Sequence, residues 1–350
     1  MPEDVEDPMD YIRLHLLEKL QVLLTTAALL AVVYFGLGRW FRPADPLGPI
    51  ALLPGGELGK LLGIVVVLLV LAAVAAAATT RSRPEGALMT ALFGLGGVAM
   101  LSPPMQTLFW SYPASMQSLY LQMMAEVLIF AVGIMLAEGL GGLVRSFMAK
   151  ICPRWLWTNT LSELSDQQRK TLKKSRIDPM WDKNILNGDS LSVSSGVRNT
   201  LLWNLLSLSL HGKNRTAAQK QVFRGQLHRG FGCLFSGVLA GIVLLVLLLQ
   251  SPERGQILFA LFGSFVLAAL FAHHLFPVRT FFVAWMIPML TAVLFYALAA
   301  ISGTGNRPQY QVLPIDWLTG GAGGAILGFW LSGRWREIRI FEALAQAPPE

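Results

Sequence analysis

The stretch "YQVLPIDWLTGGAGGAILGFWLSGRW", residues 310–335, decides the fold class because it carries an apolar run about as long as a bilayer is thick. Backbone amides in a bilayer must bond within their own segment, so this run predicts a membrane-spanning helix that starts beside Asp316. Gly320, Gly324 and Gly328 are four residues apart and form one stripe along that helix. Small residues let helix backbones approach closely in lipid, so the stripe predicts a helix contact; a flexible gating helix is the alternative.

The composition of the whole chain places it in the same class. Hydrophobic residues make up 54% and charged residues only 14% of its 350 residues, and the mean hydropathy is +0.53. Soluble domains carry roughly 25% charged residues, so we predict an all-α, polytopic transmembrane bundle of about eight helices. The predicted spans are 20–38, 60–79, 86–102, 120–146, 229–250, 255–275, 279–301 and 315–333. The run at 86–102 is the shortest and is open to a tilted or partly re-entrant interpretation.

The spans divide the chain into five parts. These are an amphipathic lead-in (1–19), a first four-helix half (20–146), a basic linker (147–228), a second four-helix half (229–333) and a tail (334–350). The linker holds 13 Lys or Arg against 5 Asp or Glu, a difference of 13 − 5 = +8. Positive flanks are retained in the cytoplasm, so we predict a multi-pass protein of the inner or plasma membrane with linker and both termini cytoplasmic.

Equal numbers of spans on each side of the linker suggest an internal duplication. Tyr120, Glu126 and Gly133 recur at a constant offset of 190 as Tyr310, Asp316 and Gly323. Four helices in the same orientation in each half would make a parallel 4+4 repeat, related by an axis along the membrane normal.

Three carboxylates fall within or at the edge of the spans, and they are the candidate functional acids. Ionisable groups are costly in a bilayer and usually serve a purpose there, which singles out Glu126, Glu138 and Asp316. Asp316 and Glu126 lie early enough in their runs for interfacial water to reach them. Glu138 lies deeper, seven residues before Arg145 on the same helix face, so it is a candidate for function or pairing.

The remaining reactive residues predict neither a cofactor nor a metal site. His15, His228, His273 and His274 fall at the predicted cytoplasmic edge without metal-ligand spacing, and interfacial snorkelling explains them better. Cys152 and Cys233 are predicted to lie in different environments and are interpreted as structural. The sequence lacks a phosphate-binding loop and paired catalytic residues, so we predict that the chain is not an enzyme.

The linker contains a short apolar segment, "VRNTLLWNLLSLSL", that cannot span a bilayer. With its basic neighbours it predicts a surface helix bound to anionic lipid headgroups through Trp203, Leu201, Leu202, Leu205 and Leu206. Nucleic-acid binding is disfavoured because the aromatic residues are not interleaved with the charges.

Two functions are compatible with these features. The first is a non-enzymatic membrane subunit or scaffold, which would bind protein partners or form a homo-oligomer. The second is a permease for a small or lipidic solute, with its pathway between the halves. The duplication favours transport, whereas the scarcity of buried polar groups opposes it.

Overall fold

The computed structural model describes residues 8–41, 48–80, 82–111, 115–151, 217–278 and 280–345. It is all-helical, with 84% helix and no strand in these ranges. The helices are α1 (Pro8–Ala31), α2 (Leu58–Ala78), α3 (Pro84–Met100), α4 (Gln106–Ser111), α5 (Met116–Ile151), α6 (Ala217–Leu248), α7 (Arg254–Leu275), α8 (Phe282–Ser302) and α9 (Ala322–Ala345). A π-helical and a 3₁₀ segment continue α1 to Phe41, and the segment Pro314–Gly321 leads into α9 through one α-helical turn and a π-helical turn.

Six of the helical segments are long and apolar enough to cross a membrane, which indicates a multi-pass membrane protein. They are Glu18–Phe41, Leu58–Ala78, Met116–Met148, His228–Leu248, Arg254–Leu275 and Phe282–Ser302. The third and eighth predicted spans are helical as well but fall outside this set. The third, α3, has only 17 residues, and the π-helical turn Trp317–Gly321 interrupts the eighth before α9 begins.

The helices separate into a buried group and a peripheral group. α3 is an unbroken helix with 13 of its 17 residues buried, so protein surrounds it on most sides. The peripheral helices expose large apolar side chains, such as Leu62 and Val66 on α2 and Phe231 and Phe235 on α6. Such an outward apolar surface is what contact with lipid tails requires.

Local sequence explains where α3 begins and where α8 ends. α3 starts with Pro84 in its first turn, where a missing N–H costs no hydrogen bond, and Glu85 follows. α8 ends at Gly303, whose φ of +63° lies in the left-handed region that glycine adopts without strain.

Two ends of the bundle are distinguished below. The linker end carries the C-terminus of α5, the N-terminus of α6 and the turn between α2 and α3. The far end carries the turn 48–57, the start of α5 and the segment Pro308–Asp316.

The predicted boundaries on either side of residues 20, 147 and 229 fall within continuous helices. α1 is continuous from Pro8, so the lead-in and the first span form one helix. α5 and α6 both extend into the predicted linker, to Ile151 and from Ala217 respectively. The proposed membrane-surface residues Trp203, Leu202 and Leu206, together with Leu201, Leu205 and Cys152, lie outside the described residues.

Candidate functional site

Asp316 is held at the far end by an arginine from another helix. Arg254, the first residue of α7, donates from Nη1 to Oδ2 at 2.5 Å and from Nη2 to Oδ1 at 2.7 Å. The Leu313 amide also donates to Oδ2, at 3.1 Å. Both carboxylate oxygens therefore have donors, and one of the donors carries the balancing charge.

The same guanidinium joins the two halves of the chain. Arg254 Nη2 donates to the carbonyl oxygen of Ala99, at the end of α3, at 2.6 Å. A single side chain thus fixes α7, the Asp316 turn and α3 at one point.

Glu126 has a different environment, although it occupies the position related to Asp316 by the offset of 190. Its Oε2 accepts hydrogen bonds from the amides of Leu52 and Leu53, at 2.9 Å and 3.0 Å. Its Oε1 is buried without a hydrogen-bond partner in the described ranges. In the same ranges no Lys, Arg or His forms an ion pair with Glu126.

Neither acid is open to water. Glu126 and Asp316 both have 0% exposure, so the expectation that interfacial water reaches them is wrong for the described residues. The backbone turns at Leu52 and Leu313 close over the carboxylates and supply amide donors in place of water. An ionised carboxylate buried without a countercharge costs several kcal/mol, whereas one unmade hydrogen bond on a neutral group costs about 1–3 kcal/mol.

Aromatic residues fill the space around the two acids. The rings of Tyr120 and Tyr310, the predicted repeat pair, lie 6.3 Å apart in an edge-on arrangement. Tyr296 of α8 lies 6.1 Å from Tyr120, and its hydroxyl donates to the Val312 carbonyl at 2.5 Å. The Tyr120 hydroxyl is buried without a hydrogen-bond partner among the described residues.

Glu138 lies nearer the linker end, and it is also buried. Its Oε2 accepts a hydrogen bond from Trp285 Nε1 in the first turn of α8, at 3.1 Å. Arg145 donates to the carbonyls of Thr79, Thr80 and Ser82 in the α2–α3 turn. Glu138 and Arg145 line one small cavity of about 20 Å³, which is enough for a single water molecule.

The glycine stripe of the last span faces α7. A Cβ built on Gly324 would lie 2.9 Å from the Phe262 carbonyl oxygen, and one on Gly328 only 2.1 Å from that of Val266. Gly320 is less constrained, because its nearest neighbour would be Leu261 Cβ at 3.6 Å. The two backbones therefore touch along the last two glycines of the stripe.

Glycines of other helices differ in how closely they pack. Gly94 and Gly97 of α3 lie against Leu29 and Tyr34 of the first helix. Gly139 of α5 has no neighbour within 4 Å of a built Cβ.

Three residues that bind buried acids were not identified from the sequence. Arg254 was overlooked because the sequence places several basic residues at the end opposite the basic linker, among them Arg39, Lys60 and Arg307. Trp285 carries no signal either, because tryptophan is common in apolar spans. Arg334 of α9 pairs with Glu18 of α1 at the linker end, where both are buried; only the tertiary fold brings them together.

Not every histidine is exposed at the membrane interface, as the snorkelling interpretation required. His273 is buried, stacks on Phe329 with ring centroids 4.2 Å apart, and has Nε2 3.1 Å from the Val278 carbonyl oxygen. His274 beside it is exposed. Cys233 is a buried free thiol, and no group of three His, Cys, Asp or Glu that could hold a metal occurs in the described part of the chain.

Comparisons with known proteins add no relative. Neither the protein-family models, the curated proteins nor the solved structures contain a match to this chain.

Proposed function

We propose that the chain is a non-enzymatic integral membrane subunit that presents its basic linker, residues 147–228, to protein partners and to anionic lipid. The observation that carries the proposal is the length of the two helices that border the linker. α5 has 36 residues and α6 has 32, about 54 Å and 48 Å at 1.5 Å per residue. The hydrocarbon core is only about 30 Å thick.

The excess length of α6 lies at the linker end. Residues 217–227 precede the apolar part of α6, which starts at His228, and they include Lys220 and Arg224. They form a helical support at the linker end. Such a support favours a display function, because it would hold one end of the linker close to the bilayer surface.

The proposed contact chemistry comes from the linker sequence. Trp203, Leu202 and Leu206 would enter the interface between headgroups and acyl chains, and the surplus of +8 charge would attract anionic headgroups. The same exposed basic surface would suit acidic protein partners or a second copy of the chain.

The proposed topology has eight crossings, with α3 and the segment 314–333 as the two that the surrounding helices cover. Linker and termini are cytoplasmic in this proposal, and the membrane is the inner or plasma membrane. Support comes from the charge asymmetry and from two buried arginines at the linker end, Arg145 in the α2–α3 turn and Arg334 paired with Glu18.

A parallel 4+4 duplication is part of the same proposal. Its support is a partial correspondence in packing: α1 packs on α3 as α6 packs on α8, and α2 on α5 as α7 on α9. Two pairs differ between the halves, since α6 packs on α7 where α1 barely contacts α2, and α2 packs on α3 where α7 barely contacts α8. Between the halves, α5 packs on α8 and α9 on α3. A two-fold axis along the membrane normal would exchange α5 with α9 and α8 with α3, and it would therefore relate these two contacts to each other.

The test uses the full-length tagged chain, purified in mild detergent from its own membranes. We expect other subunits or a second copy to co-purify, and a variant with the Lys and Arg residues of the linker replaced by Gln to lose them while its helix content is unchanged. The matched control is Gly139→Ala, a change in open space on α5. A wild-type protein that purifies alone as a monomer would contradict the partner proposal.

A second arm tests the lipid contact in reconstituted vesicles. Protease cleavage within the linker should slow when anionic lipid is present and recover as salt rises, because exposed charges are screened beyond about 10 Å at 0.1 M. Equal protection in neutral vesicles at high salt would remove the electrostatic part of the proposal.

The alternative is a permease, and the observation in its favour is the group of buried acids between the halves. A proton- or cation-coupled carrier would need one of Glu126, Glu138 or Asp316 to change occupancy during its cycle. Solute uptake that is lost on Glu138→Gln or Glu126→Gln, in a protein that remains folded, would favour this alternative over the subunit role.

A further inference from the structure

We propose that Glu126 is a proton-binding site: it holds an exchangeable proton as a neutral carboxylic acid, bonded to the turn at Leu52 and Leu53. Asp316, at the related position in the second half, is instead paired with the Arg254 guanidinium. This assignment is independent of the subunit role.

The contrast between the two acids carries the assignment. Asp316 has a guanidinium on both oxygens, so its charge is balanced where it is buried. Glu126 is equally buried but has donors on one oxygen only, and both are neutral backbone amides. A neutral carboxyl group suits this environment better than a carboxylate does. Its carbonyl oxygen accepts both amide hydrogen bonds, and only the O–H on Oε1 lacks a partner in the described ranges, which costs less than a buried charge without a countercharge.

The basic residue at the corresponding helix start in the first half is already paired. Arg254 starts α7, and the corresponding start of α2 contains Lys60. Lys60 Nζ lies 2.8 Å from Glu57 Oε1, so its charge is balanced by a neighbour in the same turn. The first half therefore lacks, in the described ranges, the ion pair that the second half builds around Asp316.

The turn that covers the Glu126 carboxyl group reaches water. Leu52 is buried and Leu53 half-buried, whereas Gly55 and Gly56 of the same turn are exposed. Loss of the proton to water at the far end would leave a carboxylate that strengthens its two amide hydrogen bonds. Gain or loss of the proton thus changes the strength of the hydrogen bonds between α5 and the turn 48–57.

Other charged and titratable groups border this site and would respond to its charge. On the elements packed around it at the far end they are Tyr120 of α5, Tyr296 of α8, Tyr310, Glu57 with Lys60, and Asp316 with Arg254.

Infrared spectroscopy of the full-length protein in vesicles tests the assignment. A protonated carboxyl group has a C=O band separate from the amide and carboxylate bands, and the band shifts in heavy water. We expect this band at neutral pH, its reversible loss as pH rises, and its absence in Glu126→Gln. Asp316→Asn and Glu138→Gln are the controls that should retain it. No band in the wild type, or a band unchanged in Glu126→Gln, would overturn the proposal.

A chemical probe on the wild type keeps the test valid if the variant fails to fold. Dicyclohexylcarbodiimide enters membranes and adds to protonated carboxyl groups, so peptide mapping should find it on Glu126 and not on Asp316. Equal labelling of both acids would overturn the proposal. A loss of the infrared band when Na⁺ replaces choline at constant pH would overturn it in favour of a metal-cation site.

Discussion

Arg254 and Asp316 form a two-pronged ion pair in which the aspartate has 0% side-chain exposure and the arginine 15%. They are 62 residues apart in sequence, and the bond from Arg254 to Ala99 reaches a further 155 residues back along the chain. The pair therefore ties the last span to α7 and to α3, which belongs to the other half.

Replacement of one partner should be far more harmful than replacement of both. Asp316→Leu leaves a largely buried guanidinium without its countercharge, and Arg254→Met leaves the buried carboxylate without its cation; each typically costs about 3–5 kcal/mol. The double change Asp316→Leu with Arg254→Met removes both charges and should cost much less than the sum of the single changes. Thermal unfolding in detergent, followed by tryptophan fluorescence, measures the three variants. Additive losses would mean that the two side chains are not coupled.

The contact between the glycine stripe and α7 yields a matched pair of glycine substitutions. Gly328→Ala would place a methyl group 2.1 Å from the Val266 carbonyl oxygen, whereas Gly139→Ala meets nothing within 4 Å. Backbone atoms cannot rotate away, so we expect Gly328→Ala to lower stability by about 1–3 kcal/mol. Gly139→Ala should be neutral or stabilise by up to about 1 kcal/mol through helix propensity. Similar melting temperatures for the two variants would contradict the contact.

Hydropathy predicted the positions of the helices because length and apolarity are properties of local sequence. The predicted run 229–250 overlaps the observed apolar part of α6, His228–Leu248, and 255–275 overlaps α7. The stripe at Gly324 and Gly328 was visible for the same reason, since a spacing of four defines one helix face.

The contacts of the acids were beyond prediction because they depend on which helices become neighbours. Nothing in the sequence around Glu126 indicates that the turn at Leu52 would cover it, or that Arg254 would reach Asp316 and leave Glu126 without a cation. The two acids looked equivalent at an offset of 190, and their difference arises from the turn before α2 and the start of α7.

Membrane topology gives the third prediction. Reporter fusions after residues 110, 180 and 345 should read outside, inside and inside, because the far end carries the site at 110 and the basic linker is expected in the cytoplasm. An outside signal at 180 would contradict the orientation. Opposite signals at 180 and 345 would contradict an even number of crossings between them.

The hydrogen bond from Trp285 to Glu138 gives the fourth prediction, with a second buried tryptophan as its control. Trp285→Phe keeps a ring between α8 and α5 but removes the Nε1 donor that lies 3.1 Å from the carboxylate. Trp330 of α9 is also buried, and its Nε1 has no hydrogen-bond partner within the described residues, so Trp330→Phe removes ring volume without removing such a bond. Loss of one partner of a buried hydrogen bond costs about 1–3 kcal/mol, and unfolding of Trp285→Phe should show a deficit of that order relative to Trp330→Phe. Glu138→Gln retains an oxygen that can accept from Trp285 and should lose less than Glu138→Ala. Equal losses for the two tryptophan variants would mean that packing, and not the hydrogen bond, holds α8 against α5 at the linker end.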